Sequence, residues 1–366
     1  MIRKTGWWMA ATVIVAGFAC PSGSALAQGS KWQADHDAGW KAYKEGRLDE
    51  AEKQLRAAEK EAETFGANDP RLATTLDHLS WVLCGEGKAG DAEPLAKRSL
   101  AIREKALGPK HPDVAKSLNT LACLYDMQGK PEEAKLYYVR CLALDEKTKG
   151  PNDPAVAAAL DNLATVEHVL GQNAEAESAY KRALAIREKA PNTNPIDLAP
   201  TLYNLGVLYL DQGKYSEAEP LLKRSLSLRE KALGAGHPDV ATSLEALGWW
   251  YAKQGRVAEA EPLLKRALST FENALGPDHP HAARCCAKLA HVCCAQGKND
   301  EAESCCRQAL AAFEKAPGAD PQGFAKALEE YATVLRKTNR VAEAEKLEAR
   351  AKALRKKHGQ SGATKE

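Results

Sequence analysis

The fold is decided by a helix–turn–helix phrase that is clearest in residues 202–219, which read LYNLGVLYLDQGKYSEAE. Apolar residues recur at helical spacing on both sides of a central turn at Gly213. Glycine at such a turn adopts the left-handed backbone conformation that ends a helix. The phrase therefore predicts two antiparallel helices that approach each other closely through the small residues Gly206 and Ala218.

The same phrase recurs along the chain at a step of 42 residues. One alanine series keeps this step from Ala73 to Ala325, and a second runs from Ala51 to Ala344 with a first step of 41. The turn residue repeats in phase with them: Gly46, Gly87, Gly129, Gly171, Gly213, Gly255, Gly297 and finally Asn339. One helix pair cannot bury its apolar face alone, so about eight copies are expected to stack as one solenoid.

Most copies open on a proline that follows a histidine, an aspartate or an asparagine, as in His237-Pro238 and Asp153-Pro154. Proline at the first helical position loses no hydrogen bond, and the residue before it caps the helix. These histidines are therefore predicted to be architectural and not catalytic.

Composition and motifs exclude several classes of function. Lys and Arg number 51 against 49 Asp and Glu, so the positive charge that nucleic-acid binding needs is not in excess. No apolar run reaches 18 residues, which excludes a polytopic membrane protein and predicts no membrane span in the mature chain. The chain has no glycine-rich phosphate loop, no HExxH and no GxSxG motif. The sequence therefore predicts a protein that is not an enzyme and that uses no cofactor.

Residues 1–27 have the three parts of a secretory signal peptide. Arg3 and Lys4 precede the apolar stretch Gly6–Cys20, and a small-residue site ends at Ala27. Cleavage after Ala27 would deliver the protein to the periplasm or the cell exterior, in a manner typical of bacterial export. Two alternatives stay open: an uncleaved N-terminal anchor and lipidation at Cys20.

The runs LYNLGVLY and GKYSEAE within residues 202–219 resemble the tetratricopeptide repeat (TPR). The 42-residue step, HPDVA at residues 237–241 and KRSLAIREKALG at 97–108 resemble the long variant found in kinesin light chains and many bacterial scaffold proteins. The resemblance covers about residues 31–356. It implies an all-α fold, a right-handed superhelical solenoid of about eight antiparallel helix pairs. We assign this solenoid to residues 28–357 and expect a disordered tail at 358–366.

The resemblance also implies that the first helices of the pairs line a concave wall that holds a peptide or protein segment. Asparagine amides on this wall can bracket a peptide backbone, and aromatic side chains can anchor apolar groups. The partner-binding residues predicted from the repeat phase are Trp81, Asn119, Asp161, Asn162, Tyr203, Asn204, Glu245 and Trp249.

The charges at these phases suggest which segment the wall prefers. Lys288 is the cation among the acidic wall residues, which are Asp77, Asp161, Glu245 and Glu329. We therefore expect a neutral or weakly basic segment and not an acidic one. Trp250 lies about 100° around the helix from Trp249 and is predicted to be in the core.

Six cysteines fall in one copy, within residues 285–306. Three interpretations stay open: they fill the core as small apolar residues, they form disulfides after export, or they bind a metal. The preferred disulfide joins Cys293 to Cys306 across the helix pair. The spacing matches no zinc pattern, which makes the metal interpretation the weakest. The leading hypothesis is an exported interaction scaffold, and the alternative is a redox- or metal-responsive protein that uses this copy.

Overall fold

The structure is a computed structural model that describes residues 29–191, 193–315 and 320–359. Within these ranges the regular structure is entirely helical, with 16 α-helices and one short 3₁₀-helix. The predicted signal peptide, with Cys20 and Ala27, lies outside the described residues. The all-α class and the eight helix pairs are confirmed.

The chain divides into two compact units, Met1–Thr193 and Asn194–Glu366, each built from the same helix pair. Unit 1 holds four pairs: α1 Gly29–Lys44 and α2 Leu48–Glu63, α3 Pro70–Gly85 and α4 Ala89–Leu107, α5 Val114–Met127 and α6 Pro131–Lys149, α7 Pro154–Val169 and α8 Asn173–Lys189.

Unit 2 opens on the 3₁₀-helix Pro195–Leu198 and holds the other four pairs. They are α9 Ala199–Asp211 and α10 Tyr215–Leu233, α11 Pro238–Lys253 and α12 Val257–Leu275, α13 Pro280–Ala295 and α14 Asn299–Lys315, α15 Pro321–Lys337 and α16 Val341–Gly359. The last helix ends two residues into the predicted tail, whose remaining residues lie outside the described ranges.

Each pair is closed by the turn residue that the repeat predicts. Gly213 has φ = 73°, and Asn339, at the same place in the last pair, has φ = 62°. Asparagine is among the few other residue types that tolerate this left-handed region. The first and last copies of the series therefore use the same backbone turn.

The two helices of a pair run antiparallel, as the contacts between α3 and α4 show. Near the turn, the Ser80 hydroxyl donates to the carbonyl of Ala92 at 3.2 Å. At the open end, Arg103 Nη2 donates to the hydroxyl of Thr74 at 3.1 Å. The sequence separation of contacting residues thus grows away from the turn, which defines the antiparallel arrangement.

The predicted close approach at Gly206 is present. A Cβ atom built at Gly206 would lie 2.8 Å from Leu222 Cδ2, and one at Gly248 would lie 2.9 Å from Leu264 Cγ. Both leucines are fully buried. Trp250 is also buried, and its indole N–H donates to the Tyr215 carbonyl at 2.8 Å, so its predicted core position is confirmed.

The helix starts follow the predicted caps in most copies. The ring nitrogens of His237 and His279 accept from the backbone N–H two residues later, at 3.1 and 3.2 Å, and the Asp153 carboxylate does the same at 2.8 Å. Two starts differ from the prediction: α5 begins at Val114, two residues after its proline, and the 3₁₀-helix precedes α9.

Among the helices of the described residues, none is long and apolar enough to cross a membrane.

Candidate functional site

The structure places every predicted partner-binding residue on a first helix. Trp81 lies on α3, Asn119 on α5, Asp161 and Asn162 on α7, Tyr203 and Asn204 on α9, and Glu245 and Trp249 on α11. Their exposure divides them into two groups. Asp161 and Glu245 are buried, whereas the other six are half-buried.

The buried aspartates of unit 1 are held inside their own helix pair. Asp77 accepts from Arg103, and Asp161 accepts from Arg187, which in each case lies 26 residues later on the second helix. All four residues are buried. A buried carboxylate bonded to a guanidinium presents no net charge to a ligand. Asp161 therefore drops out of the set of residues offered to a partner, and the expectation of an acidic wall is wrong for these two aspartates.

Unit 2 treats the same position differently, because Phe271 stands 26 residues after Glu245 and supplies no cation. The Glu245 carboxylate instead lies 3.0 Å from the ammonium of Lys288, on the first helix of the next pair. Burial opposes its ionisation, but Lys288 and Arg284 outweigh that effect and lower the pKa of Glu245. Glu245 thus joins two repeats and is likewise not an open charge on the wall.

Tyr203 replaces the acid altogether in the first pair of unit 2. The guanidinium of Arg229 lies 5.0 Å from the Tyr203 ring centroid, and it donates to the Ser243 hydroxyl at 2.9 Å and to the Asp239 carbonyl at 3.0 Å. Burial raises the pKa of the Tyr203 phenol, so it stays protonated and can donate a hydrogen bond.

Two of the predicted asparagines contact each other across neighbouring first helices. Asn162 Nδ2 donates to Asn119 Oδ1 at 3.0 Å. That bond leaves the Asn119 amide N–H₂ and the Asn162 carbonyl oxygen as further donor and acceptor. A pair of half-buried amides held in this way can bind an extended backbone with a fixed orientation.

Trp249 is the half-buried aromatic residue of the wall in unit 2. Its ring lies edge-on to His291 at 5.2 Å, with the ammonium groups of Lys253 and Lys288 at 4.8 and 5.7 Å from its centroid. His291 Nδ1 in turn lies 3.0 Å from Glu330 Oε2 on α15. These contacts fix the ring of Trp249 between cationic groups while leaving part of it accessible.

An aromatic stack at the start of unit 1 was not predicted from the sequence. Trp40 stacks on His78 at 3.9 Å, His78 on His36 at 4.8 Å, and His36 on Trp32 at 5.1 Å. Burial lowers the pKa of both histidines. Spacing of four residues between Trp32, His36 and Trp40 was the available signal, since such residues share one face of a helix.

The cysteine-rich copy forms part of the core of unit 2. Cys286, Cys293 and Cys306 are buried at the apolar phases expected for core filling. All nine cysteines of the described residues are free thiols, so the predicted Cys293–Cys306 bond is not present in this structure and stays a prediction.

One group among the described residues has the composition of a metal site. Ligand atoms of Glu261, Cys293 and Glu301 all lie within 4.8 Å of one another. However, the ammonium groups of Lys265 and Lys298 lie 2.6 and 2.8 Å from the Glu261 carboxylate. These cations already neutralise the carboxylates that a metal ion would need.

The comparisons with known proteins agree with the repeat architecture. The tetratricopeptide repeat model matches residues 42–105, 82–147, 137–189, 197–273 and 283–357. None of the curated proteins matches the chain by sequence.

Solved structures show the same fold. The apo quorum sensor NprR from B. thuringiensis is 14% identical, with a TM-score of 0.66 over 88% of this chain and 87% of that one. A Rap protein complexed with competence and sporulation factor is 15% identical, with a TM-score of 0.59 over 90% and 98%. The kinesin light chain TPR-like repeats of Podosopora anserina are 26% identical over 57% of this chain and 98% of that chain, with a TM-score of 0.47.

Proposed function

This chain belongs to the tetratricopeptide repeat family, and from that premise we propose that it is a non-enzymatic scaffold that binds a segment of a partner protein. The proposed binding surface is the wall, the face of the first helices that carries the half-buried residues Trp81, Asn119, Asn162, Tyr203, Asn204 and Trp249. A Rap protein of this fold forms a complex with a separate factor, which supports such a role.

The observation that carries the proposal is the arrangement around Trp249. Its contacts with His291, Lys253 and Lys288 hold a partly accessible ring in one orientation. Rigid aromatic residues of this kind provide much of the binding energy at protein interfaces, because they bury a large area and lose little entropy. The ring would receive an apolar side chain of the partner.

The neutralised carboxylates change the expected chemistry of that segment. Because Asp77, Asp161 and Glu245 are buried and paired, they no longer argue against an acidic partner. Lys253 is exposed and Lys288 half-buried beside Trp249. We propose an extended segment with an apolar anchor flanked by neutral or acidic residues.

The test compares partner capture by three forms of the protein. The wall variant carries Asn162→Ala, Asn204→Ala and Trp249→Ala. The matched control carries Leu136→Ala and Val139→Ala, two exposed apolar residues on the second helix α6. Affinity capture from the exported fraction of the native host should yield a partner that the unmodified chain and the control retain and the wall variant loses. Each variant must first show unchanged helicity and melting.

A partner retained equally by all three forms would contradict the wall as binding surface. A partner lost only by the α6 control would move the binding surface to the second helices and would equally reject the proposal.

We also propose that the protein is exported and that residues 1–27 are removed. The support is the signal-like order of charge, apolar stretch and small residues in the sequence. N-terminal sequencing of the chain from cell fractions should find Gln28 as the first residue in the periplasmic or external fraction. A chain that begins at Met1 or Ile2 in the cytoplasm would reject export.

A further inference from the structure

The repeat register allows one helix pair to report on the geometry of another. Cys293 on α13 and Cys305 on α14 lie four repeats of 42 residues after Tyr125 on α5 and Tyr137 on α6. The rings of these two tyrosines are stacked, with centroids 5.5 Å apart and planes within 13° of parallel. The positions that hold Cys293 and Cys305 therefore face each other across a helix pair.

Cys306 faces a different part of α13. Its equivalents Leu222 and Leu264 lie against Gly206 and Gly248, which correspond to Ala290. In unit 1, the equivalent Tyr138 hydroxyl lies 3.0 Å from Cys123 Sγ, and Cys123 corresponds to His291. Cys306 is thus opposite residues 290–291, and the thiol opposite Cys293 is that of Cys305.

We propose that Cys293 and Cys305 form a redox pair that closes a reversible disulfide between α13 and α14. The pair is independent of whatever the wall binds. It links the two helices of one repeat, so its oxidation would restrain the pair that carries Lys288 and His291 beside Trp249.

The two thiols have different environments, which orders the chemistry. Cys293 is fully buried, whereas Cys305 is half-buried. Burial and the neighbouring Cys293 raise the pKa of Cys305 to about 11, so only a small thiolate fraction is present at neutral pH. Oxidation is therefore expected to begin at Cys305 and to be slow.

The oxidant required is a low-molecular-weight disulfide, for which oxidised glutathione is the probe. The Cys305 thiolate attacks one sulfur of that disulfide, its S–S bond breaks, and the released thiolate takes a proton. The Cys293 sulfur, after losing its proton, attacks the Cys305 sulfur of the mixed disulfide and expels the second small thiol. The protein loses two thiol hydrogens and gains one S–S bond, and the oxidant becomes two thiols.

The test uses the full chain equilibrated in glutathione buffers, trapped by alkylation and digested without reduction. Trypsin cuts after Lys288, Lys298 and Arg307, so Cys293 and Cys294 fall in peptide 289–298 and Cys305 and Cys306 in peptide 299–307. The disulfide joins these two peptides. Two matched double variants separate adjacent thiols: Cys294→Ser with Cys306→Ser keeps the proposed pair, and Cys293→Ser with Cys305→Ser removes it.

We expect joined peptides from the unmodified chain and the first variant, and none from the second. Oxidation should also raise the melting temperature of the first variant by about 5 °C, since closing a short loop restricts the unfolded chain. Joined peptides that persist in the second variant, or that disappear in the first, would overturn the proposal.

Should either variant fail to fold, fragment ions of the joined peptides from the unmodified chain locate the bond directly. A bond from Cys293 to Cys306, or an unmodified chain without joined peptides in oxidising buffer, would equally overturn it.

Discussion

The two units place different chemistry at one repeat position and its partner 26 residues later. In unit 1, Asp77 and Asp161 are each paired with a buried arginine of the same helix pair. In unit 2, Glu245 faces Phe271 in its own pair and takes Lys288 from the next. The second-helix residue therefore decides whether the acid is neutralised within a repeat or between repeats.

This difference bears directly on recognition. Unit 1 satisfies its buried acids internally and offers the bonded amides of Asn119 and Asn162. Unit 2 draws a lysine onto its wall and places that lysine beside Trp249. The comparison indicates a hydrogen-bonding surface in unit 1 and an aromatic, cation-flanked surface in unit 2.

The largest expected effect comes from breaking the internal pair of unit 1. Arg103→Ala strands the buried Asp77 carboxylate and should lower the free energy of unfolding by about 3–5 kcal/mol. Arg355→Ala is the matched control, because Arg355 occupies the same repeat position but its pair with Glu329 at 2.8 Å is exposed. That change should cost at most about 1 kcal/mol. Urea unfolding followed by circular dichroism measures both, and equal losses would contradict the distinction.

A second change tests the link between repeats in unit 2. Lys288→Met leaves Glu245 without its nearest cation and should cost about 2 kcal/mol at pH 7, less than a fully buried pair because Lys288 is 31% exposed. Lys253→Met removes the other cation beside Trp249 and should cost about 0.5 kcal/mol or less.

The pH dependence of that loss identifies its cause. The lowered pKa of Glu245 contributes stability above the unfolded value, and this contribution disappears as pH falls through the folded value. Urea unfolding at pH 7 and pH 3.5 should therefore show the gap between Lys288→Met and the unmodified chain closing at the lower pH. A gap that does not change with pH would assign the loss to packing.

Close packing gives an effect of intermediate size. Gly206→Ala brings a Cβ within 2.8 Å of Leu222 and should destabilise unit 2 by about 1 kcal/mol, because overpacking exceeds the gain in helix propensity. Gly90→Ala in α4 meets open space and should instead stabilise unit 1 by about 0.5 kcal/mol. Melting curves that shift in the same direction for both would reject the packing argument.

The smallest effect is the titration of the buried histidines in unit 2. Burial and Arg284 lower the pKa of His279 and His281 to about 4 each. The unfolded chain then binds protons that the folded chain does not, so stability falls as pH drops from about 6.5 to about 4. We expect a loss of about 1 kcal/mol per histidine across this window.

His279→Asp combined with His281→Ala tests this titration. Aspartate keeps the helix cap, as Asp69 and Asp153 do at their helix starts. Thermal unfolding across the same pH window should show a shallower slope for the double variant, and an unchanged slope would place the titration elsewhere.

Several details of the site could be predicted from local pattern alone. The repeat phase located Trp249 and Tyr203 on first helices and Trp250 in the core, since helical periodicity sets the direction of a side chain. It could not predict the state of Asp161. An aspartate at a wall phase looks exposed until the arginine 26 residues later is known to reach it.

The disulfide register shows the same limit at closer range. Cys305 and Cys306 differ by one position, and only the packing of the helix pair decides which of them faces Cys293. The stacked Tyr125 and Tyr137 supply that register, because they occupy the equivalent positions four repeats earlier.

By itself the sequence determined the class of helix pairs, their number, the turn residues and most helix starts, because these depend on local periodicity, caps and left-handed turns. Only the tertiary structure decided which charges are neutralised, which thiols face each other and which aromatic rings stay accessible. These properties depend on distances between helices that are far apart in sequence. A repeat fixes its positions by phase, but the residue that reaches each position from a neighbouring helix sets its chemistry.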